Sequence, residues 1–103
     1  MILNGKTKED FIDYIDSDDL LVEGMSDIHR NALIIEFFDS IGVYIYLETG
    51  MCFNKPNFRY KIITNDDTCI GYKEYSRQEA TIQAITKAND IYNVRYYKQK
   101  QVK

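Results

Sequence analysis

The side chains that most often carry out catalysis are scarce in this chain of 103 residues. His29 is the only histidine, so a Cys-His or Ser-His-Asp site would have to use it. It lies in the first turn of a predicted helix, beside Arg30, and neither residue 32 nor residue 33 is a carboxylate that could orient it. We therefore interpret His29 as a surface histidine at a helix end, and we expect the protein not to be an enzyme.

The two cysteines, Cys52 and Cys69, do not have the spacing of a metal site. A zinc site requires four nitrogen or sulfur ligands, which usually occur in close pairs. In the strand order predicted below, the cysteines lie at opposite ends of a sheet, roughly 25 Å apart at ~3.3 Å per residue, beyond disulfide reach. The glycines are isolated, so the chain has no glycine-rich phosphate loop. We expect no metal and no cofactor.

Acidic residues are concentrated near the N-terminus. The cluster consists of Asp13, Asp16, Asp18, Asp19, Glu23 and Asp27. It does not form an EF-hand, because the sixth position counted from Asp16 is Leu21, where that calcium loop requires glycine. Two interpretations remain: a solvated acidic face, or a functional surface that binds a basic partner.

Charge is unevenly divided along the chain, although the formal net charge is only −3. Residues 1–50 contain three basic and eleven acidic side chains, a balance of −8, whereas residues 51–103 contain ten basic and five acidic ones, a balance of +5. A division of this kind bears on partners and on how they are encountered, not on the fold.

Tyrosines and basic residues alternate in a second region. Tyr44 and Tyr46 project from one face of a predicted strand, and Arg59 and Lys61 can join them from the next strand. Aromatic rings beside basic groups suit stacking on nucleic-acid bases or a protein interface. The alternative is cross-strand pairing that only stabilises the sheet.

The elements that position these residues follow from periodicity and capping signals. We predict a helix over 8–16 capped by Thr7, a loop or ragged helix end up to Gly24, and a well-buried helix over 28–40 capped by Ser26 and followed by Gly42. The segments "VYIYLET", "NFRYKIIT" and "CIGYKEY" predict three strands. Ser76 and Glu79 form a capping box for a last helix that should reach about Asn93, with a core stripe of small and aliphatic residues.

The predicted fold class is therefore α+β, in the order α-α-β-β-β-α, with a three-stranded antiparallel meander and the helices packed on one face. We expect a single domain over 1–103, with an acidic N-terminal helix and loop (1–25), an α-β-β-β-α core (26–93) and a basic tail (94–103). No segment approaches the ~18 to 20 apolar residues of a membrane span, and no secretory signal is evident. These features predict a cytoplasmic protein.

Residues 26–93 resemble the double-stranded-RNA-binding domain in the order of their elements. The last helix of that family opens with Ser, two basic residues, any residue, Ala and a basic residue; Ser76, Arg77 and Ala80 match it, whereas Gln78 and Thr81 replace two basic positions. The resemblance implies that Arg77, together with Lys55, contacts phosphates. With the main phosphate-binding pair replaced, it implies weak affinity.

Length and a composition rich in Ile, Asn, Lys and Tyr are also similar to those of small phage and mobile-element proteins of AT-rich bacteria. The first functional hypothesis is an interaction module whose acidic face binds a basic surface on a partner protein, such as an anti-defence inhibitor of the anti-CRISPR type. Its residues are Asp13, Asp16, Asp18, Asp19 and Glu23. The alternative is an RNA-binding module that uses Lys55, Arg59, Lys61, Arg77, Tyr44 and Tyr46. A third hypothesis is a structural protein that forms homodimers through the tyrosines or an unprotected strand edge.

Overall fold

The computed structural model describes residues 2–16, 19–71, 74 and 76–101. This part of the chain contains helices α1 (Gly5–Ile15), α2 (Asp19–Glu23), α3 (Asp27–Ser40) and α4 (Arg77–Gln101), and strands β1 (Tyr44–Cys52), β2 (Lys55–Ile63) and β3 (Thr68–Ile70). The strands form one antiparallel sheet in the order β1-β2-β3. The predicted α+β class and the element order are confirmed.

The hairpin of β1 and β2 is longer than the sequence pattern predicted. Its strands pair without interruption from Tyr44–Ile63 to Cys52–Lys55 and are joined by Phe53 and Asn54 alone. Both turn residues have positive φ, 52° and 63°, the signature of a type I′ turn whose twist matches that of the flanking strands. Phenylalanine is an unusual residue at such a position, which explains why the turn is not evident from the sequence.

The third strand is short and ends before Gly71. The ring of Tyr60 lies directly against the backbone of Gly71, and a Cβ at this position would overlap the ring. Gly71 N–H also donates to the carbonyl oxygen of Tyr60 at 3.0 Å. Further along, Phe58 and Glu74 form an isolated bridge, and Tyr72, Lys73 and Tyr75 of the predicted strand lie outside the described residues.

The core lies between the helices and one face of the sheet. Val43, just before β1, and Ile62 of β2 are buried in it, and α4 packs on the sheet with a stripe of small residues that permits close approach. The fully buried residues of this stripe are Ala80, Ala84, Ile85 and Ala88, as predicted. Phe11 of α1 and Phe37 of α3 meet edge to face, with ring centroids 5.8 Å apart, and close the core on its helical side.

The predicted start of α1 is wrong. Thr7 does not cap this helix but lies within it, fully buried, and the N-cap is Asn4, whose side chain makes no capping hydrogen bond. The groups that satisfy this helix start come from α4 and are described below.

The start and end of α3 are confirmed, and most of its predicted apolar stripe packs on the core. Ser26 Oγ accepts from His29 N–H at 3.2 Å, and Gly42 has φ 80° just past the helix. Ile34, Phe37 and Phe38 are buried, and Leu33 and Ile35 pack partly buried against the core. The prediction fails at Ala32, which is exposed, and at Ile28 in the first turn, which is 84% exposed.

The last helix begins as predicted and ends later. Ser76 Oγ accepts from Glu79 N–H at 3.1 Å. The helix passes the predicted end at Asn93 and continues to Gln101, because no glycine or proline interrupts the sequence there. No helix in the described ranges combines the length and apolar character needed to cross a bilayer.

Candidate interaction surfaces

The first candidate surface is a row of carboxylates on α1, here called the acidic stripe and defined as Glu9, Asp13 and Asp16. Glu9 and Asp13 are spaced by four positions, which places them on one face of the helix. Asp16 is the C-cap just past Ile15, in the left-handed conformation with φ 51° and ψ 51°. All three residues are exposed, so two members of the predicted acidic face, Asp13 and Asp16, lie in water at the C-terminal end of α1.

The other predicted acidic residues follow the stripe along the chain. Glu23 is exposed on α2, next to Val22, which is fully buried and attaches this short helix to the core. Arg30 of α3 donates to the Val22 carbonyl oxygen at 3.1 Å and also pairs with Asp27 at 2.6 Å. Asp18 lies outside the described residues, as does the side chain of Asp19.

A network of amide side chains fixes the position of α1 on α4. The Oδ1 atom of Asn93 accepts from the Thr7 N–H at 3.1 Å and from the Thr7 hydroxyl at 2.9 Å. Asn89 exchanges two hydrogen bonds with Asn4: its Oδ1 accepts from the Asn4 N–H at 3.0 Å, and its Nδ2 donates to Asn4 Oδ1 at 3.1 Å. Two asparagines of the last helix thus bond backbone N–H groups around the start of the first.

A second set of contacts lies one turn further along α1. The Tyr92 hydroxyl donates to Asp10 Oδ2, and Lys6 Nζ lies 3.0 Å from Asp10 Oδ1. Phe11 enters the core beside them. The side of α1 that meets α4 is therefore occupied by specific contacts, and the acidic stripe is held on a helix of fixed orientation.

Sequence reasoning missed Asn89 and Asn93. Their spacing of four residues places them on one face of α4, which is a readable signal, because asparagine is a poor helix former that rarely occurs in a buried helical stripe without a partner. Asn89 is only 2% exposed. The partner could not be inferred, since the hydrogen bonds join residues 82 to 89 positions apart.

The second candidate surface is the face of the sheet opposite the helices, here called the tyrosine face and defined as Tyr44, Tyr46, Lys61 and Ile70. Tyr46 pairs with Lys61, which pairs in turn with Ile70, so these three residues form one row across the sheet. Tyr44 is 41% and Tyr46 is 52% exposed. Val43 is buried and Ile45 and Leu47 are half-buried, so the predicted alternation is confirmed over 43–47.

The basic residues predicted for nucleic-acid binding do not form one site. Arg59 lies next to the tyrosine face, but its Nε donates to Glu48 Oε2 at 3.1 Å, which neutralises its charge locally. Arg77 packs over the ring of Phe58, 5.1 Å from the centroid. Because Phe58 and Arg59 are consecutive in β2 and point to opposite faces, Arg77 and the tyrosine face lie on different sides of the sheet. Lys55 lies at the hairpin end, beside the two-residue turn.

The described residues include no group of side chains placed to hold a metal ion. His29 is exposed, and no group of three or more histidine, cysteine or acidic side chains converges within the part of the chain that the structure describes. The register pairs Cys52 with Lys55 and Cys69 with Ile62, which separates the cysteines by about 23 Å along β2, in agreement with the prediction.

A shallow cavity of about 490 Å³ lies between α4 and the β2–β3 turn, where Asp66 and Arg95 pair at 3.4 Å. Cys69 also lines it. Burial, and to a smaller extent the neighbouring Cys69, raises the pKa of Tyr60 above its ordinary value.

Comparison with known proteins adds no family to this description. No protein family model, curated protein or solved structure matches the chain at a significant level.

Proposed function

We propose that this chain is a non-enzymatic interaction module whose acidic N-terminal surface binds a basic surface of a partner protein. One observation carries the proposal: the acidic stripe is exposed along a helix that is fixed to the body of the protein by the Asn89 and Asn93 network. A charged surface on a fixed helix loses little conformational entropy on binding.

The spacing of the stripe indicates which kind of partner it suits. Glu9 and Asp13 follow each other at about one helical turn, ~5.4 Å, and Asp16 lies just past the helix end. Lys6 Nζ lies 3.8 Å from Glu9 Oε2 and offsets part of the negative charge at that end of the stripe. Arginine and lysine side chains that normally contact a nucleic-acid backbone bind such anionic groups well. The partner that fits best is a protein with a nucleic-acid-binding surface, and the chain would inhibit it by occupying that surface. An anti-defence inhibitor of the anti-CRISPR type is one concrete form.

The uneven charge of the chain supports the same proposal. Residues 9–27 contain eight acidic side chains and no basic one, so the molecule is expected to approach a basic surface with this segment forward. Complementary charge mainly raises the rate of association, and the rate should therefore fall as salt is added.

The test compares two double variants, each of which replaces two carboxylates by amides, so that both proteins carry the same net charge. In the first, Asp13→Asn and Asp16→Asn remove two charges from the acidic stripe; asparagine also tolerates the left-handed conformation of residue 16. In the control, Glu36→Gln and Asp90→Asn remove two charges from exposed positions on α3 and α4. Tagged proteins are expressed in the native host, and co-purifying proteins are quantified.

The expected result is a basic protein that co-purifies with the wild type and the control and is strongly depleted with the stripe variant. Equal recovery with both variants, at equal thermal stability, would refute the proposed surface.

A second candidate function rests on the tyrosine face. Tyr44 and Tyr46 are exposed beside Lys61, an arrangement that suits stacking on bases with a backbone phosphate nearby. Weak affinity is expected, because Arg59 is paired with Glu48 and Arg77 lies on the other side of the sheet. RNA binding should weaken with Tyr46→Ala and with higher salt, whereas Arg77→Ala should weaken it only if the mode of binding is that of the double-stranded-RNA-binding domain. No shift of a labelled single strand or duplex at low salt would exclude this function.

A further inference from the structure

The outer edge of β1 exposes a row of backbone groups whose identity follows from the hairpin register. In a hairpin with a two-residue turn, the residues that flank the turn, Cys52 and Lys55, form a hydrogen-bonded pair. Counting back from Cys52 in steps of two, Gly50, Glu48, Tyr46 and Tyr44 also direct their N–H and C=O groups to β2. Ile45, Leu47, Thr49 and Met51 direct theirs to the outer edge.

The pairing on the far side of β2 agrees with this assignment. Phe58 lies opposite Thr49, and Tyr60 lies opposite Leu47. Both use their backbone groups toward the third strand: Phe58 exchanges hydrogen bonds of 2.7 Å with Glu74, and the Tyr60 carbonyl accepts from Gly71. Their partners in β1 therefore face outward.

No backbone hydrogen bond reaches these four outward residues from any other described residue. The edge ends where Val43 N–H donates to the Phe38 carbonyl oxygen at 2.9 Å. Proteins usually protect a long edge strand with proline, lysine or a bulge, and β1 has nine residues without any of these. Glu48 is its only charged residue.

We propose that this edge pairs with the same edge of a second copy of the chain, antiparallel and about a two-fold axis at Leu47, to form a continuous six-stranded sheet. The interface is isologous, so each contact occurs twice. Ile45, Leu47 and Thr49 would form about six hydrogen bonds with Thr49, Leu47 and Ile45 of the second copy. The acidic stripe on α1 takes no part, so the dimer does not depend on the proposed function.

The side chains of the tyrosine face favour this register. Tyr46 would lie opposite Glu48 of the second copy, within reach of its carboxylate, and Tyr44 would lie opposite Gly50, which leaves room for the ring. A two-fold axis at Glu48 would instead place two carboxylates directly opposite each other. An axis at Tyr46 would leave Met51 outside the paired region.

The helix-covered side of the edge is also self-complementary. Leu47 would meet Leu47 of the second copy near the axis. Met51, which is 70% exposed in the single chain, would lie opposite Val43 at the end of the other β1. The dimer therefore covers an apolar side chain that the single chain leaves in water.

The first test measures the oligomeric state of the full chain by sedimentation from ~1 to ~500 μM, a range that detects dissociation constants in the micromolar region. The wild type is expected to dimerise. Thr49→Pro removes an outward N–H that has no partner within one chain, and it should weaken the dimer at least about tenfold. Thr49→Val keeps this N–H and should leave the dimer intact.

A second variant keeps the test decisive if the proline prevents folding. Tyr46→Glu would pair with Lys61 in the same chain but would oppose Glu48 of the second copy twice, and it should also dissociate the dimer. Tyr46→Phe is its matched control and should retain most of the association.

A third variant tests the register itself. Two-fold pairing at Leu47 brings the two copies of this residue to a Cα separation of about 5.5 Å, which suits a disulfide, whereas the two Thr49 residues would be roughly 13 Å apart. Leu47→Cys should therefore form a covalent dimer on mild oxidation, in excess of the wild type, and Thr49→Cys should not. A wild type that stays monomeric throughout, or a dimer that survives both Thr49→Pro and Tyr46→Glu, overturns the proposal.

Discussion

Helices α1 and α3 pack on the same core but begin in different ways. The start of α3 is capped by its own Ser26, whose hydroxyl accepts from the N–H of His29, three residues away. The start of α1 is bonded by α4, with Asn93 accepting from Thr7 across 86 positions of sequence. The first kind of cap forms whenever the segment becomes helical, whereas the second forms only when two distant helices are already docked.

This difference predicts unequal consequences of mutation. A local cap stabilises one helix, and its loss leaves N–H groups that water can reach. The α1–α4 network is partly buried, and its loss leaves polar groups without partners at a helix junction. The predictions below test this contrast, from the largest expected effect to the smallest.

Asn89→Ala should have the largest effect. Asn89 is 2% exposed, and its amide is bonded to both the backbone and the side chain of Asn4. Its removal leaves the Asn4 N–H without its acceptor and opens a small cavity, whereas Asn4 Oδ1 still accepts from Asn93 Nδ2 at 3.0 Å. The free energy of unfolding in urea denaturation should fall by about 2–3 kcal/mol. Asn65→Ala, at an exposed position in the β2–β3 turn, is the control and should change it by less than about 0.5 kcal/mol.

Thr7→Val should lower the free energy of unfolding by about 1–2 kcal/mol. Valine keeps the shape of threonine but lacks its buried hydroxyl. That hydroxyl lies 2.9 Å from Asn93 Oδ1 and 3.2 Å from the Asn89 carbonyl oxygen. The double variant with Asn93→Ala should cost less than the sum of the single variants, since both remove the same hydrogen bond. Strict additivity in a double-mutant cycle would mean that the two side chains do not act as a unit.

Ser26→Ala should cost about 1 kcal/mol, the usual value of a local N-cap. Ser26→Asp should restore most of the stability, because aspartate accepts the same hydrogen bond from His29 N–H and is favoured near a helix N-terminus. If the alanine variant lost as much stability as Asn89→Ala, the contrast between local and distant capping would fail.

The smallest effect should come from Ile28→Val, which changes the stability by less than about 0.5 kcal/mol because the side chain is 84% exposed. The same substitution at Ile34, which is fully buried on the same helix, should cost about 0.5–1.5 kcal/mol. Thermal unfolding of the two variants compares one chemical change on two faces of α3, and similar losses would show that Ile28 is covered in solution.

The same contrast explains how much could be predicted from the sequence. The caps at Ser26 and Ser76, the alternation of β1 and the alanine stripe of α4 are local patterns, and all are confirmed. The turn at Phe53 and Asn54 was missed because residues that rarely favour positive φ adopt it there. The nine residue pairs of the hairpin stabilise this conformation.

For the candidate surfaces too, local properties could be predicted from the sequence and features that depend on packing could not. Exposure of Asp13, Asp16 and Glu23 could be predicted, since charged residues are rarely buried. The separation of Arg77 from Lys61 could not be predicted from the sequence. Packing alone decides on which side of the sheet the basic residues of a strand and of a helix start lie. Periodicity likewise could not show that Ile28 faces water, because it records spacing and not which side has a neighbour.

The bonds between Asn4 and Asn89 also have a consequence for biosynthesis. The ribosome makes the chain from its N-terminus, so the segment that forms α1 emerges long before its acceptors on α4 have been polymerised. Closure over such a sequence separation is slow, and until then the first helix lacks a docking site. The native packing of α1 therefore forms only after Asn89 and Asn93 have left the ribosome, and a product truncated before Asn89 should be removed by cellular proteases.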